Sequence, residues 1–223
     1  MEIRQAREQE RQALIERLVR DLKPVRPLWP VNTRLAMWLL MNAALLILAV
    51  TFGARPDLQE KIHSLRFLTE VIAFGGAGTV AAILALRAAI PGREPTRGEL
   101  QFAVAIAAVA ILFVFSEPMA LDVRMDGFIH EGLRCAFCTC VVAVIPWLAM
   151  LWAVRRGAPT RLTTAGALIG AAAFFFSLVI TRLGCPIDDR IHFLTWHVIP
   201  ALAGISLSVL AGIAWLRRKT FIG

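Results

Sequence analysis

Four cysteines carry the most reactive chemistry in this sequence. The stretch "LRCAFCTC" at 133–140 holds Cys135, Cys138 and Cys140, and the fourth, Cys185, lies in "LGCPIDDR". Thiolates bind zinc and softer metals, and two neighbouring thiols can also form a disulfide. A Cys-x-x-Cys pair at a helix N-terminus can be a redox pair, because the helix dipole lowers the pKa of a thiol there. The residues therefore allow a metal site, a redox pair, a sensor or small packing residues.

The elements that must position these thiols are apolar helices. The chain has 223 residues, is 58% hydrophobic and has a mean hydropathy of +0.67. About 20 apolar residues span a bilayer as a helix, and irregular backbone cannot face lipid. No alternating strand pattern of a membrane barrel occurs. The sequence thus predicts an all-α six-helix transmembrane bundle, with spans near 35–52, 67–90, 100–116, 135–154, 163–181 and 193–216.

The basic residues predict how this bundle is oriented. The N-terminal segment, the second and fourth loops and the C-terminal tail hold 17 of the 24 Lys and Arg residues. Cytoplasmic segments of membrane proteins are enriched in Lys and Arg, so both termini are predicted to be cytoplasmic. The formal net charge of +8 is then mainly a topology signal. We expect a lipid bilayer as a partner and no direct contact with nucleic acid.

The N-terminal segment 1–33 is predicted to be a separate cytoplasmic unit before the six-span domain 34–223. Its apolar residues recur at helical spacing and predict a short amphipathic helix: Leu14, Ile15, Leu18, Val19 and Leu22. Pro24 is expected to end this helix. The segment is too short to form a core of its own. Its apolar stripe must therefore lie on lipid, pack on the bundle, or bind in a groove of a cytoplasmic protein.

The predicted topology separates the cysteines. Cys135 is expected at the periplasmic mouth of the fourth helix, level with Cys185 in the last periplasmic loop. The periplasm is oxidising, so these two could form a reversible disulfide or bind a transient soft or heavy metal ion. Cys138 and Cys140 lie deeper in the helix and are expected to be packing residues inside the bundle. Possible auxiliary metal ligands nearby are His192, Asp188 and His130.

The sequence leaves three classes of function open. A non-enzymatic thiol sensor would use Cys135 and Cys185. A membrane thiol–disulfide oxidoreductase would use Cys135 and Cys138, but it normally needs a second dithiol and a quinone pocket. A small metal transporter would need charged groups deep in its spans, whereas Glu70 lies near a span end and is expected to reach water. We favour the sensor, without enzymatic activity and without a permanent cofactor.

Several short motifs, in this order relative to the six spans, link the chain to a known family. They are "LIERLVRDLKPVRPL" at 14–28, "GARPDL" at 53–58, "AAIPGR" at 88–93, "LRC" at 133–135, "RRGAP" at 155–159, "GALIGAAA" at 166–173 and "CPIDDRIHFLTWH" at 185–197. Over nearly its whole length the chain resembles the NrsF family of bacterial inner-membrane proteins. These proteins are negative regulators, or anti-sigma factors, of extracytoplasmic-function sigma factors.

The resemblance implies a mechanism. The cytoplasmic segment would bind the sigma factor and keep it from RNA polymerase, and two periplasmic cysteines would sense heavy metals or oxidants and trigger release. The cysteines that match are Cys135 after "LR" and Cys185 before proline. The residues that the resemblance assigns to sigma-factor binding are Leu14, Ile15, Leu18, Val19, Leu22, Pro24, Val25, Arg26, Pro27 and Leu28.

Overall fold

The computed structural model describes residues 2–20, 27–115 and 125–217, and these residues form helices joined by short loops. The helices are α1 Glu2–Arg20, α2 Val31–Gly53, α3 Leu58–Lys61, α4 Leu65–Ala88, α5 Arg97–Phe115, α6 Met125–Arg155, α7 Leu162–Gly184, α8 Arg190–Phe193 and α9 Ile199–Leu216. A π-helical turn, Leu194–Val198, joins α8 to α9. The all-α prediction is confirmed.

Six of these segments are long and apolar enough to cross a membrane. They are α2, α4, α5, α6, α7 and the continuous segment from α8 through α9. The predicted spans are confirmed in number and order. The start predicted for the fourth span is wrong, because α6 begins at Met125 rather than near Cys135. Hydropathy marks only the apolar part of a helix, and the first turns of α6, "MDGFIHEGLR", include four charged or polar residues: Asp126, His130, Glu131 and Arg134.

Helix α7 is the centre of the bundle. Within its most apolar window 72% of the residues are buried, against 11% for the outer helices α2 and α5. It packs against α4, α6 and α9, and it also contacts α2. The apolar side chains left exposed on α2 and α5 suit an acyl-chain environment, since lipid tails are as apolar as leucine. Helix α7 therefore contacts most of the other helices of the bundle.

Small residues let α7 approach α9 closely. A Cβ added at Gly166 would lie 2.7 Å from the Ser208 carbonyl oxygen, and one at Gly212 would lie 2.8 Å from the Gly166 Cα atom. The Ser208 hydroxyl donates a hydrogen bond to the Gly166 carbonyl at 2.7 Å and accepts one from the Trp147 indole at 2.8 Å. Backbone proximity and interhelical hydrogen bonds are the usual means of helix association in a membrane.

The bundle has two ends, which we call the thiol face and the α1 face. The thiol face consists of loop 54–64, the first turns of α6 that the structure describes and loop 185–189. At the α1 face, α2 begins and α4, α6 and α9 end. Buried Arg34 ties these elements together, because its guanidinium donates to the carbonyls of Leu86 and Ala153, each at 3.4 Å.

Helix α1 is present as predicted, but it does not bury its apolar stripe against the bundle. Every side chain of residues 4–20 is exposed. The four apolar residues of the stripe that the structure describes are 46% to 61% exposed: Leu14, Ile15, Leu18 and Val19. Leu22, Pro24, Val25 and Arg26 lie outside the described residues. Pro27 is exposed and Leu28 is half-buried in the link to α2.

Candidate functional site

The structure brings Cys135 and Cys185 together at the thiol face. Their Sγ atoms are 3.7 Å apart although the residues are 50 positions apart in sequence. Cys135 is half-buried on α6, and Cys185 is buried directly after the last residue of α7. The Cys185 amide donates to the Thr181 carbonyl at 2.8 Å, which extends the α7 hydrogen-bond ladder to the thiol. Both cysteines are free thiols.

His192 lies beside this pair. It is buried, and its Nε2 atom is 3.6 Å from the Cys185 Sγ atom. The position depends on the start of α8, where the Asp189 carboxylate accepts a hydrogen bond from the His192 amide at 2.8 Å. This N-cap fixes the first turn of the short helix. Of the three predicted auxiliary ligands, His192 is the one that reaches the thiols.

His197 is a further member of the cluster that was not predicted. In an α-helix, residues five apart point about 140° away from each other, so His192 and His197 would lie on different faces. The π-helical turn changes this, because its i→i+5 hydrogen bonds place residues five apart nearly above one another. The two imidazole rings are accordingly 5.6 Å apart, centroid to centroid. The paired histidines in "HFLTWH" were the available signal, but a π-turn cannot be inferred from helical periodicity.

A hydrogen-bond chain sets the tautomer of His197. The Thr139 hydroxyl donates to the Cys135 carbonyl at 2.9 Å and lies 2.9 Å from the His197 Nδ1 atom. A hydroxyl has one proton, so it must accept from Nδ1–H of His197. In the neutral form of the ring the Nε2 atom of His197 carries the lone pair, and this atom is buried without a hydrogen-bond partner among the described residues. A neutral imidazole fixed in this way is poised to act as a ligand.

One ligand atom from each of four residues lies within 4.8 Å of every other: Cys135, Cys185, His192 and His197. In a tetrahedral zinc site, bond lengths of about 2.3 Å to sulfur and about 2.05 Å to nitrogen place two sulfurs about 3.8 Å apart and a sulfur and nitrogen about 3.6 Å apart. In this structure the Sγ–Sγ distance is 3.7 Å, and the distance from the Cys185 Sγ atom to the His192 Nε2 atom is 3.6 Å. The residues present therefore fit a four-coordinate metal. A disulfide would need the sulfurs to move closer, to about 2.05 Å.

The electrostatic environment favours thiolate at Cys185. A hydrogen bond with Cys135 and one with His192 lower the pKa of Cys185 below its ordinary value, against the opposing effect of burial, and the nearby imidazole of His197 acts in the same direction. A thiolate is both the nucleophile towards oxidants and the species that binds a metal.

The other two cysteines do not join the site. Cys138 and Cys140 are exposed, so the prediction that they pack inside the bundle is wrong. Residues four and eight after Cys135, Thr139 and Ala143, continue its inward face and are buried. Cys140 points about 140° away from Cys135 at helical spacing. The Cys135–Cys138 redox pair also loses its predicted helix N-terminus, because α6 begins ten residues before Cys135.

The remaining predicted ligands have other positions. His130 is exposed on α6 and is not among the four clustered residues. Asp188 instead joins an ion-pair network: its carboxylate accepts two hydrogen bonds from Arg55, at 2.9 and 2.7 Å, one from Arg182 at 2.8 Å, and an ion pair from Lys61 at 2.6 Å. Asp188 thus positions the loop that carries Cys185.

Charge complementarity stabilises this network. Burial alone would raise the pKa of Asp188, but the hydrogen bonds from Arg55 and Lys61 and the charge of Arg182 outweigh it and hold that pKa below its ordinary value. For Arg55, burial lowers the pKa, and the hydrogen bonds that it donates to Asp188 and Asp57 raise the pKa by more, so the net shift is upward. Arg55 also donates its backbone amide to the Leu183 carbonyl at 3.0 Å. The loop after α2 is thereby fixed to the end of α7.

The expectation that Glu70 reaches water is wrong. Glu70 is 1% exposed and forms an ion pair with Arg182 at 3.1 Å, between α4 and α7. The guanidinium of Arg182 also stacks over the rings of Phe67 and Phe193. A partner on a neighbouring helix, which a single span's sequence does not reveal, makes burial of the carboxylate tolerable.

An apolar groove of about 920 Å³ leads to the cluster from the side of the bundle. Its walls are parts of α2, α6 and α7, and the residues at its polar end include Cys135, Cys138, Cys185 and His197. Glu131 and Arg134 of α6 also line it. The thiols are therefore accessible although the cluster itself is largely buried.

The fold and the site together define a six-span helical membrane protein with a thiol–imidazole cluster at one end and an exposed apolar helix stripe at the other. A family model described as "NrsF: Negative regulator of sigma F" matches residues 18–218. The chain belongs to the NrsF family, as the motifs predicted.

A relative in the same family supports this assignment. The chain is 29% identical over 211 residues to a protein named Anti-sigma-F factor NrsF from Caulobacter vibrioides (strain NA1000 / CB15N). The similarity covers 92% of this chain and 97% of that relative, so the two correspond along almost their entire length. No solved structure matches the chain.

Proposed function

We propose that this protein is an inner-membrane anti-sigma factor whose two ends have different tasks. The cytoplasmic N-terminal segment sequesters an extracytoplasmic-function sigma factor. The periplasmic thiols Cys135 and Cys185 respond to heavy-metal ions or oxidants and cause release of the sigma factor. Membership of a family of negative regulators favours this function over an enzyme.

The observation that carries the proposal is the exposed apolar stripe of α1. Leu14 and Leu18 are 58% and 61% exposed on a helix that is rich in charged residues, and the bundle does not cover them. Amphipathic helices commonly bind by laying such a stripe into a groove of a partner. In an anti-sigma family, a sigma factor is the partner that would supply the groove.

The distribution of basic residues supports the proposed orientation. The segments around α1 and the loops at the α1 face hold most of the Lys and Arg residues, which is typical of the cytoplasmic side. The thiol face would then lie in the periplasm, where a disulfide can persist. This arrangement places the thiols where external metals and oxidants arrive first.

The position of Cys185 supports a route for the signal. Cys185 follows the last turn of α7, and α7 contacts most of the bundle down to the α1 face. Linking Cys185 to Cys135 on α6 would shift the balance between two arrangements of these helices. Couplings between sites are typically about 1–3 kcal/mol, which corresponds to about 5- to 150-fold in sigma-factor affinity.

The experiment that tests the output is capture of bound proteins by the full-length, tagged protein from membranes, followed by their identification. We expect a sigma factor in the captured material. The double variant Leu14→Asp, Leu18→Asp should lose it, because the stripe can no longer be buried without burying charge. Gln12→Asp on the same exposed helix is the matched control and should retain it. Absence of any sigma factor from the wild-type capture would refute the proposal.

A further inference from the structure

We propose a tetrahedral site for a zinc-group divalent cation, Zn²⁺ or Cd²⁺, whose ligands are Cys135, Cys185, His192 and His197. The inference rests on the proposed function, because it names the class of ion that the thiol pair would detect. It extends that function by adding two imidazole ligands, which make the site specific for ions that accept both sulfur and nitrogen in tetrahedral geometry.

The first argument is geometric. The four ligand atoms come from three elements, α6, the end of α7 and the segment from α8 through the π-turn, and still lie within 4.8 Å of one another. Two of the ligand–ligand distances, 3.7 Å between the sulfurs and 3.6 Å from the Cys185 sulfur to the His192 Nε2 atom, match tetrahedral zinc to within about 0.1 Å. An ion could therefore bind with small side-chain movements.

The second argument concerns the buried Nε2 atom of His197. The side chain is 1% exposed, and its Nε2 atom has no hydrogen-bond partner in the part of the chain that the structure describes. Buried polar atoms are nearly always paired, so such an atom calls for an explanation. Its Nδ1–H is held by Thr139, which fixes the tautomer with the Nε2 lone pair free. A metal ion at the cluster would satisfy that lone pair.

The third argument is charge. Two thiolates and two neutral imidazoles carry a total charge of −2, which a divalent cation neutralises. A neutral complex suits a cluster that is largely buried, because an uncompensated buried charge is strongly unfavourable. When the ion binds, four metal–ligand bonds form, and Cys135 and Cys185, if still protonated, release their protons to solvent.

The site also has the support and the access that metal centres need. Asp189 orients His192 through its backbone amide, and Thr139 orients His197. An open groove also reaches Cys135, Cys185 and His197, so the cluster is not sealed from its surroundings. Since a disulfide would consume both sulfur ligands, oxidation and metal binding must exclude each other at this site.

The test is a metal titration of the reduced full-length protein in lipid nanodiscs, with Co²⁺ as the spectroscopic probe and Cd²⁺ as competitor. We expect one Co²⁺ per chain, with the visible bands of tetrahedral cobalt and thiolate-to-cobalt charge transfer, both removed by stoichiometric Cd²⁺. Oxidation to the disulfide should abolish binding. An octahedral spectrum, or binding that survives oxidation, would overturn the proposal.

Variants then assign the ligands. Cys135→Ser and Cys185→Ser should each weaken binding and roughly halve the charge-transfer intensity per bound Co²⁺, because one of two thiolates is removed, and His192→Ala and His197→Ala should weaken binding by at least about 10-fold. His130→Ala and Cys140→Ser, both at exposed positions outside the cluster, are the matched controls and should bind as the wild type does. Wild-type affinity in the two variants of the clustered histidines would overturn the proposal.

Two further variants keep the test decisive if the buried His→Ala variants do not fold. His197→Cys should keep a tetrahedral spectrum with added charge-transfer intensity, because it exchanges one ligand for another. Thr139→Val keeps all four ligands but removes the hydroxyl that orients His197, and it should lower affinity by about 10- to 100-fold. Loss of binding in His197→Cys in a folded protein, or unchanged affinity in Thr139→Val, would contradict the assignment.

Sigma-factor capture is measured separately on the same metal-free protein. Failure of metal binding with intact sigma-factor capture refutes this inference alone. Tight tetrahedral binding without a sigma factor in the capture supports the site and refutes the proposed function.

Discussion

For single residues, helical spacing places cysteines that are neighbours in the sequence on different faces of α6. Cys135 faces the interior of the bundle, whereas Cys138 and Cys140, three and five positions later, are exposed. The partner of Cys135 is Cys185, which directly follows the last residue of α7. The close spacing of cysteines in 133–140 therefore does not indicate which thiols act together. Spatial contact between α6 and the end of α7 does.

This separation predicts which thiols matter for signalling. Cys135→Ser and Cys185→Ser should each abolish the response of sigma-factor-dependent transcription to metal or oxidant, because either one removes half of the pair. Cys138→Ser and Cys140→Ser should respond like the wild type. A reporter gene under the sigma factor measures this. Loss of the response in Cys138→Ser would instead favour the oxidoreductase that uses Cys135 and Cys138.

The ion pairs of Asp188 give a second prediction, which concerns stability. Asp188→Asn should lower the free energy of unfolding by about 3 kcal/mol, because Arg55 and Arg182 are almost completely buried and would each lose an ionic partner. Thermal unfolding of the reconstituted protein measures it. Asp189→Asn, the neighbouring change, should cost much less, since asparagine caps a helix about as well as aspartate.

The pH dependence of that difference follows from the depressed pKa of Asp188. A carboxylate with a lowered native pKa stabilises the fold above its unfolded-state pKa, and this stabilisation is lost as the pH falls towards the native value. The difference between wild type and Asp188→Asn should therefore be constant near neutral pH and shrink below the ordinary value of 3.8. A difference that grows on acidification would contradict the role of the carboxylate.

At the scale of elements, hydropathy identified the spans, and what it missed has physical causes. The first turns of α6 are less apolar than the rest of the helix. Hydropathy therefore places its start near residue 135, although the helix begins at Met125. The π-turn at 194–198 depends on packing in the bundle and leaves no periodic signal. Glu70 and Arg182 are 112 residues apart, and their pairing depends on how α4 meets α7. The spans were predictable because each is encoded locally, whereas these contacts between helices were not.

The close contact between α7 and α9 predicts how glycine substitutions change stability. Gly170→Val should destabilise the bundle by about 1–3 kcal/mol, because a Cβ there would lie 2.7 Å from the Ser208 Cβ atom and 2.9 Å from the Ile205 Cα atom. Gly76→Ala is the control, because nothing lies within 4 Å of its added Cβ, and it should be neutral or slightly stabilising. Equal effects of the two changes on thermal unfolding would show that α7 and α9 do not approach this closely.

At the scale of the whole molecule, the thiol face and the α1 face lie at opposite ends of helices that are long enough to cross a bilayer of about 30 Å. The family and the membrane fold followed from motifs and hydropathy, and the proximity of Cys135 to Cys185 followed from their predicted positions at the same end of the bundle. The completion of the site by His197 did not, because it depends on the π-turn. Helix α7 joins the two faces through the core, with Cys185 after its last residue and Gly166 near its start.

The central claim is that events at the thiol face control sigma-factor binding by the N-terminal segment. The most direct measurement is the affinity of the sigma factor for full-length protein in nanodiscs, reduced and then exposed to Cd²⁺ or to disulfide-forming oxidant. We predict that either treatment weakens binding by about 5- to 150-fold in the wild type and has no effect on Cys185→Ser. Unchanged affinity in the wild type, or equal weakening in Cys185→Ser, would contradict the claim.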